Sequence, residues 1–323
     1  MSLLDLLPGL HRAGATHGGE YGGPCPWCGG RDRFRAWPHH PSGRPRWWCR
    51  QCGKSGDTAD LLHLLRGVPL REALRLEGVS QKAPVRPTER PLRRPGQAWQ
   101  QRAEKLAQDA ETALWRPEGT RALDYLRGRG LTDETIHGAR LGYVPEDLRE
   151  PAERWGLPHD HKPVWVPRGI CLPWRAEGLV WKLSIRRPAG HPKYVQPAGG
   201  CNGLYGADGL QEGQPAMLAE GELDALSVAQ EAGGLVAAVA SGSTCGARHS
   251  HWQRRLSRCS VVLIAFDNDK PGETAAQWWL ERLPKAIRLV PVGGKDCNSM
   301  LTRGANLRTW VRQGLNLTKD RKP

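Results

Sequence analysis

Four cysteines and six carboxylates are the residues of this sequence best placed to do chemistry. Cys25-Pro-Trp-Cys28 and Cys49-Arg-Gln-Cys52 form two C-x2-C pairs with twenty residues between them. Each pair presents two thiolates on a tight turn, and four such ligands at ~2.3 Å complete a tetrahedral shell. That closed set points to one structural zinc ion rather than a catalytic metal with an open position. Gly29 and Gly53 follow the pairs, where a knuckle turn calls for positive φ. His39 and His40 lie nearby, but four thiols already fill the shell. Nine cysteines, with only these four regularly spaced, argue against a disulfide framework and for a reduced compartment.

The carboxylates fall in three groups, Glu220-Gly-Glu-Leu-Asp224, Asp267-Asn-Asp269 and Asp296-Cys-Asn298. Each group directly follows an apolar run that reads as a strand. Taken singly, an Asp after a strand is a helix cap and Glu222 a surface side chain. Taken together, they gather at the carboxyl ends of parallel strands, where open α/β sheets bind ligands. Their mutual repulsion is relieved by hard divalent cations such as Mg²⁺, which take carboxylate oxygens together with substrate phosphates.

The rest of the chain is cationic. It has 323 residues, 47 Lys and Arg against 33 Asp and Glu, and a net charge of +14, as expected for a protein that meets an anionic polymer such as nucleic acid. Arg31, Arg33, Phe34, Arg35, Trp37, Arg44, Arg46, Trp47 and Trp48 lie between the cysteine pairs. Guanidinium groups that bind phosphate and rings that stack on bases would make this a single-strand-binding face. Alternatively, Phe34 and Trp47 form the small core of the ribbon and the arginines solvate it. Base stacking would also use some of the fourteen Trp that accompany only two Phe. Lys54-Ser55 superficially resembles a phosphate-binding loop, but Trp48 occupies the position that requires Gly. No run approaches the ~18 apolar residues of a membrane span, and the first fifteen residues lack a secretory pattern.

The elements that must position these groups can be read in order. Leu3, Leu4, Leu6, Leu7 and Leu10 pattern a short amphipathic helix, and Asp57 caps a helix reaching about Leu65. Ser80 to Gln97 holds four prolines and five cationic residues, an extended tether with little to bury. Helices follow from Ala98 to Trp115 and from Thr120. VWVPRGICLPW and GLVWKLSIRR read as two strands joined by RAEG. From Pro215 strands and helices alternate, ending in the strand IRLVPV, as in a parallel sheet covered by helices.

The acidic pattern E-G-x-x-D, strand-D-x-D, K-D-x-N resembles the Toprim domain shared by bacterial primases and topoisomerases. Upstream, Cys52-Gly-Lys-Ser-Gly-Asp57 with TADLLHLL resembles the end of the zinc ribbon of DnaG-type primases. Leu123–Pro145, Arg168–Trp174 and PKYVQP followed by Leu204-Tyr205-Gly206 resemble successive segments of their RNA-polymerase domain. The likeness covers about residues 1–303. It implies an α/β and α+β multidomain chain: a zinc-ribbon template-binding domain (1–79), a linker (80–97), a mixed α/β basic lobe (98–213), a Toprim catalytic domain (214–303) and a tail (304–323).

The resemblance further implies that Glu220 works at the reaction centre as acid, base or metal ligand, and that Asp267, Asp269, Asp296 and Asn298 hold two or more Mg²⁺ or Mn²⁺ ions. Asp224 supports Glu220 from the next helical turn. Arg168, Lys182, Arg186, Arg187 and Lys193 are implied to touch nucleotide or template, with Arg33, Arg35, Trp47 and Trp48 on the ribbon. The expected activity is synthesis of short RNA primers on single-stranded DNA from NTPs, in the cytoplasm at a replication fork of a cell or phage. A Toprim nuclease and a non-catalytic DNA-binding adaptor are the alternatives. Three positions depart from the family: the zinc ligands are all cysteines, as in phage versions, Asn298 stands where many relatives place Asp, and GGCNGLYG lacks a Lys. No ATPase motif is present and the tail is short, so a helicase is expected to be a separate chain, with the helicase-binding domain missing here.

Overall fold

The computed structural model describes residues 3–69, 72–73 and 91–317. The chain divides between Arg90 and Pro91 into two compact units. The division falls in the Pro- and Arg-rich stretch, of which residues 80–90 lie outside the described residues.

The first unit opens with a one-turn helix, α1 (Leu3–Leu6), shorter than the leucine pattern predicts. An antiparallel sheet follows in sequence order: β1 (His11–Gly14), β2 (Glu20–Cys25), β3 (Gly29–Trp37), β4 (Arg46–Cys49) and β5 (Ser55–Gly56). Strand alternation puts Trp47 and Cys49 inside and Arg46 and Trp48 outside. The core is Leu3, Cys25, Phe34, Ala36, Trp47, Cys49 and Leu61. Leu61 comes from α2 (Thr58–Arg66), which starts at the predicted cap: Asp57 accepts from Ala59 and Asp60 N–H, and Asp60 returns to the Asp57 N–H. A core this small needs a metal staple to persist.

The second unit begins with α3 (Gln97–Leu114), α4 (Thr120–Gly128) and α5 (Asp133–Gly138). Two antiparallel sheets follow. One is β6 (Gly142–Val144) with β9 (Gly169–Ala176), β10 (Leu179–Arg186) and β11 (Tyr194–Val195); the other pairs β7 (Leu148–Glu150) with β8 (Val164–Val166). The predicted strand VWVPRGICLPW is thus two strands in different sheets. Pro167 cannot continue a ladder, and the chain turns at Pro167-Arg168.

The parallel sheet has the order β13-β12-β14-β15, from β12 (Ala216–Ala219), β13 (Ala237–Ala240), β14 (Val262–Ala265) and β15 (Ala286–Arg288). One face carries Leu218, Val262 and Ile264 against Trp252 of α7 (Ser250–Ser257) and Trp279 of α8 (Lys270–Leu280). The other carries Met217, Leu263 and Ile287 against Val228 of α6 (Glu222–Ala232) and Met300 of α9 (Cys297–Thr302). Burial on both faces explains why these strands read as unbroken apolar runs.

The expected tail contains a helix, α10 (Leu307–Asn316). Its Leu307, Trp310 and Val311 complete the second face, with Gly314 lying close to Leu263 and Leu289. The basic lobe and the parallel sheet also share a core: Leu126, Leu172 and Trp174 of the lobe pack with Leu223, Leu226 and Ala240. Trp47, Trp99, Trp155, Trp174, Trp181, Trp252 and Trp279 are all under 2% exposed. Half of the tryptophans therefore fill cores, in the role Phe takes elsewhere. Among the described residues no helix is long and apolar enough to cross a membrane.

Candidate active site and zinc centre

The four ribbon thiols converge. Cys25 closes β2, Cys28 precedes β3, Cys49 closes β4, and Cys52 lies three residues on. Their sulfurs all lie within 4.8 Å of one another, with Cys25–Cys52 at 3.8 Å and Cys28–Cys49 at 3.5 Å. Four sulfurs ~2.3 Å from a common tetrahedral centre sit about 3.8 Å apart, so the set fits one zinc ion. Gly29 and Gly53 have φ of +63° and +71°, as the knuckle turns require. Burial, then hydrogen bonds to Cys49 and Cys25, push the Cys28 thiol up to about 11. A cation that takes the thiolates removes that penalty.

The ribbon face divides. Trp47 is buried, stacked on Phe34 at 5.4 Å and 13°, and donates from Nε1 to the Asp57 carbonyl at 2.6 Å. It is a core residue and not the base-stacking platform implied for it, because β4 alternation turns it inward. Arg35 is likewise committed, its Nε 2.7 Å from Glu20 with a second ion pair to Asp32. Trp48 is 44% exposed, and Arg33 uses one nitrogen on the Cys28 carbonyl at 3.2 Å. These two remain available to a ligand.

In the second unit the three acidic groups stand at neighbouring strand ends. Glu220 follows β12 and Asp267 follows β14, strands paired Ala219 to Ala265. Asp269 caps α8, accepting from Gly272 N–H at 2.8 Å. Asp296 caps α9, accepting from Ser299 N–H at 2.6 Å. Each cap fixes one oxygen on a helix N-terminus. Gly272 has to be glycine here: a Cβ would stand 2.2 Å from the Asp267 carbonyl. The Asn268 N–H donates to the Lys295 carbonyl at 2.7 Å and ties the third segment to the second.

The acidic groups act on one another electrostatically. Burial, then Asp267 and Asp269, push Glu220 up to about 7. Asp224 is buried and also pushed up to about 7, by burial and then Asp296. Burial raises Asp267 as well, against the pull of Lys295. Asp269 is lowered, chiefly by the Gly272 N–H. Lys295 bridges the pair, its Nζ 3.0 Å from Asp267 Oδ2 and 3.2 Å from Asp269 Oδ2.

Asn298 corrects the expectation of a metal ligand. It is 1% exposed; its Oδ1 accepts from Arg129 Nε, and its Nδ2 donates to the Arg129 carbonyl at 2.8 Å and to Ser227 Oγ at 2.9 Å. Its backbone N–H donates to Asp224 Oδ1 at 2.9 Å. Three of the four hydrogen-bonding positions of the amide are thus taken up by the scaffold. Glu222 is buried rather than exposed, accepting from Trp174 Nε1 at 3.0 Å.

The basic residues form two clusters. Lys182 and Arg186 share one face of β10; Lys182 Nζ lies 4.0 Å from the Trp174 ring beside Glu222, and Arg186 lies 4.0 Å over Tyr125. Lys193 is exposed near Arg186 and Arg129 and is lowered by burial and then by those two cations. Arg187 stacks 5.3 Å from Trp165, and the Arg168 N–H donates to Asp147 at 2.7 Å, on a separate patch around Asp147 and Trp165. Arg129 and Lys295 were missed as site residues. Lys295 was visible in K-D-x-N, whereas nothing local in Gly128-Arg129-Gly130 marks the arginine.

A model for a Toprim-like domain matches residues 217–301, and one for the zinc-binding domain of primase-helicase matches residues 20–59. A DNA primase of Deinococcus radiodurans is 32% identical over 239 residues, covering 62% of this chain and 41% of that protein. The zinc-binding and RNA polymerase domains of the Aquifex aeolicus primase share the fold with TM-score 0.51 at 18% identity, over 98% of this chain and 83% of that one. A DnaG primase catalytic domain bound to ssDNA gives TM-score 0.55 at 23% identity, over 68% and 78%. The chain spans less than half the length of the curated relatives it matches.

Fold and site together give the chain a region similar to Toprim-like domains and an N-terminal region similar to the zinc-binding domain of primase-helicase. Its likeness is to the DnaG-type DNA primases, and it runs through ribbon, lobe and parallel sheet in the same order.

Proposed function

We propose that this chain makes short RNA primers on single-stranded DNA by metal-dependent nucleotidyl transfer. The meeting of Glu220, Asp267, Asp269 and Asp296 at adjacent strand ends, in a chain that also carries a four-thiol ribbon, supports this reading most directly. The donors are carboxylate oxygens with more negative charge than Lys295 offsets, a set suited to Mg²⁺ or Mn²⁺. When bound, such ions neutralise phosphate charge and acidify the attacking 3′-hydroxyl.

Asp267, together with the oxygens that the helix caps leave free on Asp269 and Asp296, would hold two or more ions. Glu220 takes the proton from the 3′-hydroxyl as that oxygen bonds to the α-phosphorus of the incoming NTP and pyrophosphate leaves. Asp224 does not reach substrate; it positions α9 through the Asn298 N–H. Lys182, Arg186 and Lys193, joined by Arg129, bind incoming NTP or template phosphates, and Tyr125 and Tyr194 offer rings beside them. Arg168 and Arg187 extend that surface. Arg33 and Trp48 let the ribbon grip the template.

In this reading residues 1–79 bind template, 80–97 tether them, 98–213 hold the duplex and 214–303 catalyse. A separate helicase chain would supply the open strand, at a replication fork in the cytoplasm. The test is incubation with unprimed single-stranded DNA, NTPs and Mg²⁺ or Mn²⁺. Labelled oligoribonucleotides support the proposal; their absence under both metals refutes it, and degradation of the template would favour the nuclease alternative.

A further inference from the structure

Lys295 sits between the two carboxylates that the proposed reaction needs for metal. Its ammonium contacts Asp267 at 3.0 Å and Asp269 at 3.2 Å. Among the described residues only the ribbon thiols bring three or more potential ligands within 4.8 Å of one another. The strand-end carboxylates stand further apart, with the lysine in the gap between two of them.

The backbone and the side chain of Lys295 are held differently. Its carbonyl accepts the Asn268 N–H at 2.7 Å, and its neighbour Asp296 is locked as the cap of α9. The side chain is 59% exposed. Its partners are less exposed, Asp269 at 35% and Asp267 at 17%, so the pairs hold while no metal is bound, whereas a divalent cation brings twice the charge to the same oxygens.

We propose that Lys295 is an exchangeable counter-cation: it neutralises Asp267 and Asp269 until a divalent ion displaces it, and it then turns toward solvent, where a substrate phosphate receives it. This rests on the proposed metal-dependent reaction. Lys295 therefore weakens metal binding to the free protein and strengthens nucleotide binding once metal is in place.

The experiment is a Mn²⁺ titration of the whole zinc-loaded protein, following free Mn²⁺ by electron paramagnetic resonance, for wild type, Lys295→Met, Lys295→Arg and Asp269→Ala. Loss of two competing pairs predicts roughly five-fold tighter Mn²⁺ binding, or more, in Lys295→Met, with Lys295→Arg close to wild type. With Mn²⁺ saturating, Lys295→Met binds fluorescent ATP more weakly than wild type. Unchanged or weaker Mn²⁺ binding in Lys295→Met, while wild type binds and Asp269→Ala does not, overturns the counter-cation role and leaves the metal site standing. Failure of wild type to bind Mn²⁺ in an Asp269-dependent manner overturns both.

Discussion

Arg129 and Asn298 are bonded in both directions. The guanidinium Nε donates to the side-chain oxygen of Asn298, and Asn298 Nδ2 donates to the Arg129 carbonyl at 2.8 Å. These residues lie 169 positions apart, so the contact fastens the turn after α4 to the helix that Asp296 caps. Asn298→Ala leaves the Arg129 carbonyl and Ser227 without that partner in a buried site. We expect a loss of about 2 kcal/mol in urea unfolding. Asn298→Asp also removes the Nδ2 donor and adds charge near Asp224, and should cost more. A loss below about 0.5 kcal/mol for Asn298→Ala would contradict the clamp.

Adjacent tryptophans of the ribbon should behave oppositely. Trp47 is 1% exposed and Trp48 44%. Trp47→Ala removes a stacked core ring and should destabilise the ribbon by about 3–5 kcal/mol. Trp48→Ala should leave stability unchanged and weaken binding to single-stranded DNA by about 1–3 kcal/mol, the worth of one stacked base. Melting of both variants, with fluorescence anisotropy on a labelled oligonucleotide, separates the roles.

One zinc ion per chain should be released when the ribbon thiols are titrated with an organomercurial. Cys49→Ser or chelation should abolish the ribbon's protection from proteolysis, because Cys25 and Cys49 belong to both the metal shell and the small core. The second unit, with its own cores, should remain protected.

Magnesium should stabilise the protein more as pH rises. Glu220 and Asp224 are both lifted to about 7 from ordinary values of 4.5 and 3.8. Between about pH 4 and 7 the folded state therefore holds more protons than the unfolded one, and stability falls as pH rises through that window. Without magnesium, Tm should drop between pH 5.5 and 8; saturating Mg²⁺ should restore several degrees at pH 8 and little at pH 5.5. Asp224→Asn keeps an acceptor for the Asn298 N–H and should flatten the slope. A magnesium effect independent of pH would contradict the shared cluster.

The chemistry was more legible than the architecture around it. Cysteine pairs and strand-end carboxylates are dictated by ligand number and charge, and both survive as local patterns in a single chain. Asp57 was readable as a cap because capping is local. Tertiary roles were not: Asn298 looked like a ligand because spacing alone cannot reveal that Arg129 and Ser227 consume its amide. Trp47 and Trp48 differ only in which side of β4 they face, and the sequence offers both as rings among arginines. The helix α10 escaped because its apolar stripe of Leu307, Trp310, Val311 and Leu315 is short and sits in a basic segment.

The central claim is that Glu220, Asp267, Asp269 and Asp296 act as one metal-dependent centre for RNA synthesis. The most direct measurement is oligoribonucleotide yield on unprimed single-stranded DNA with Mn²⁺, comparing wild type with Asp269→Ala. Wild type should give product, the variant at least a hundred-fold less (about 2.7 kcal/mol of transition-state stabilisation or more), and both should bind DNA equally. Equal yields from the two proteins, or no product from wild type, would contradict the claim.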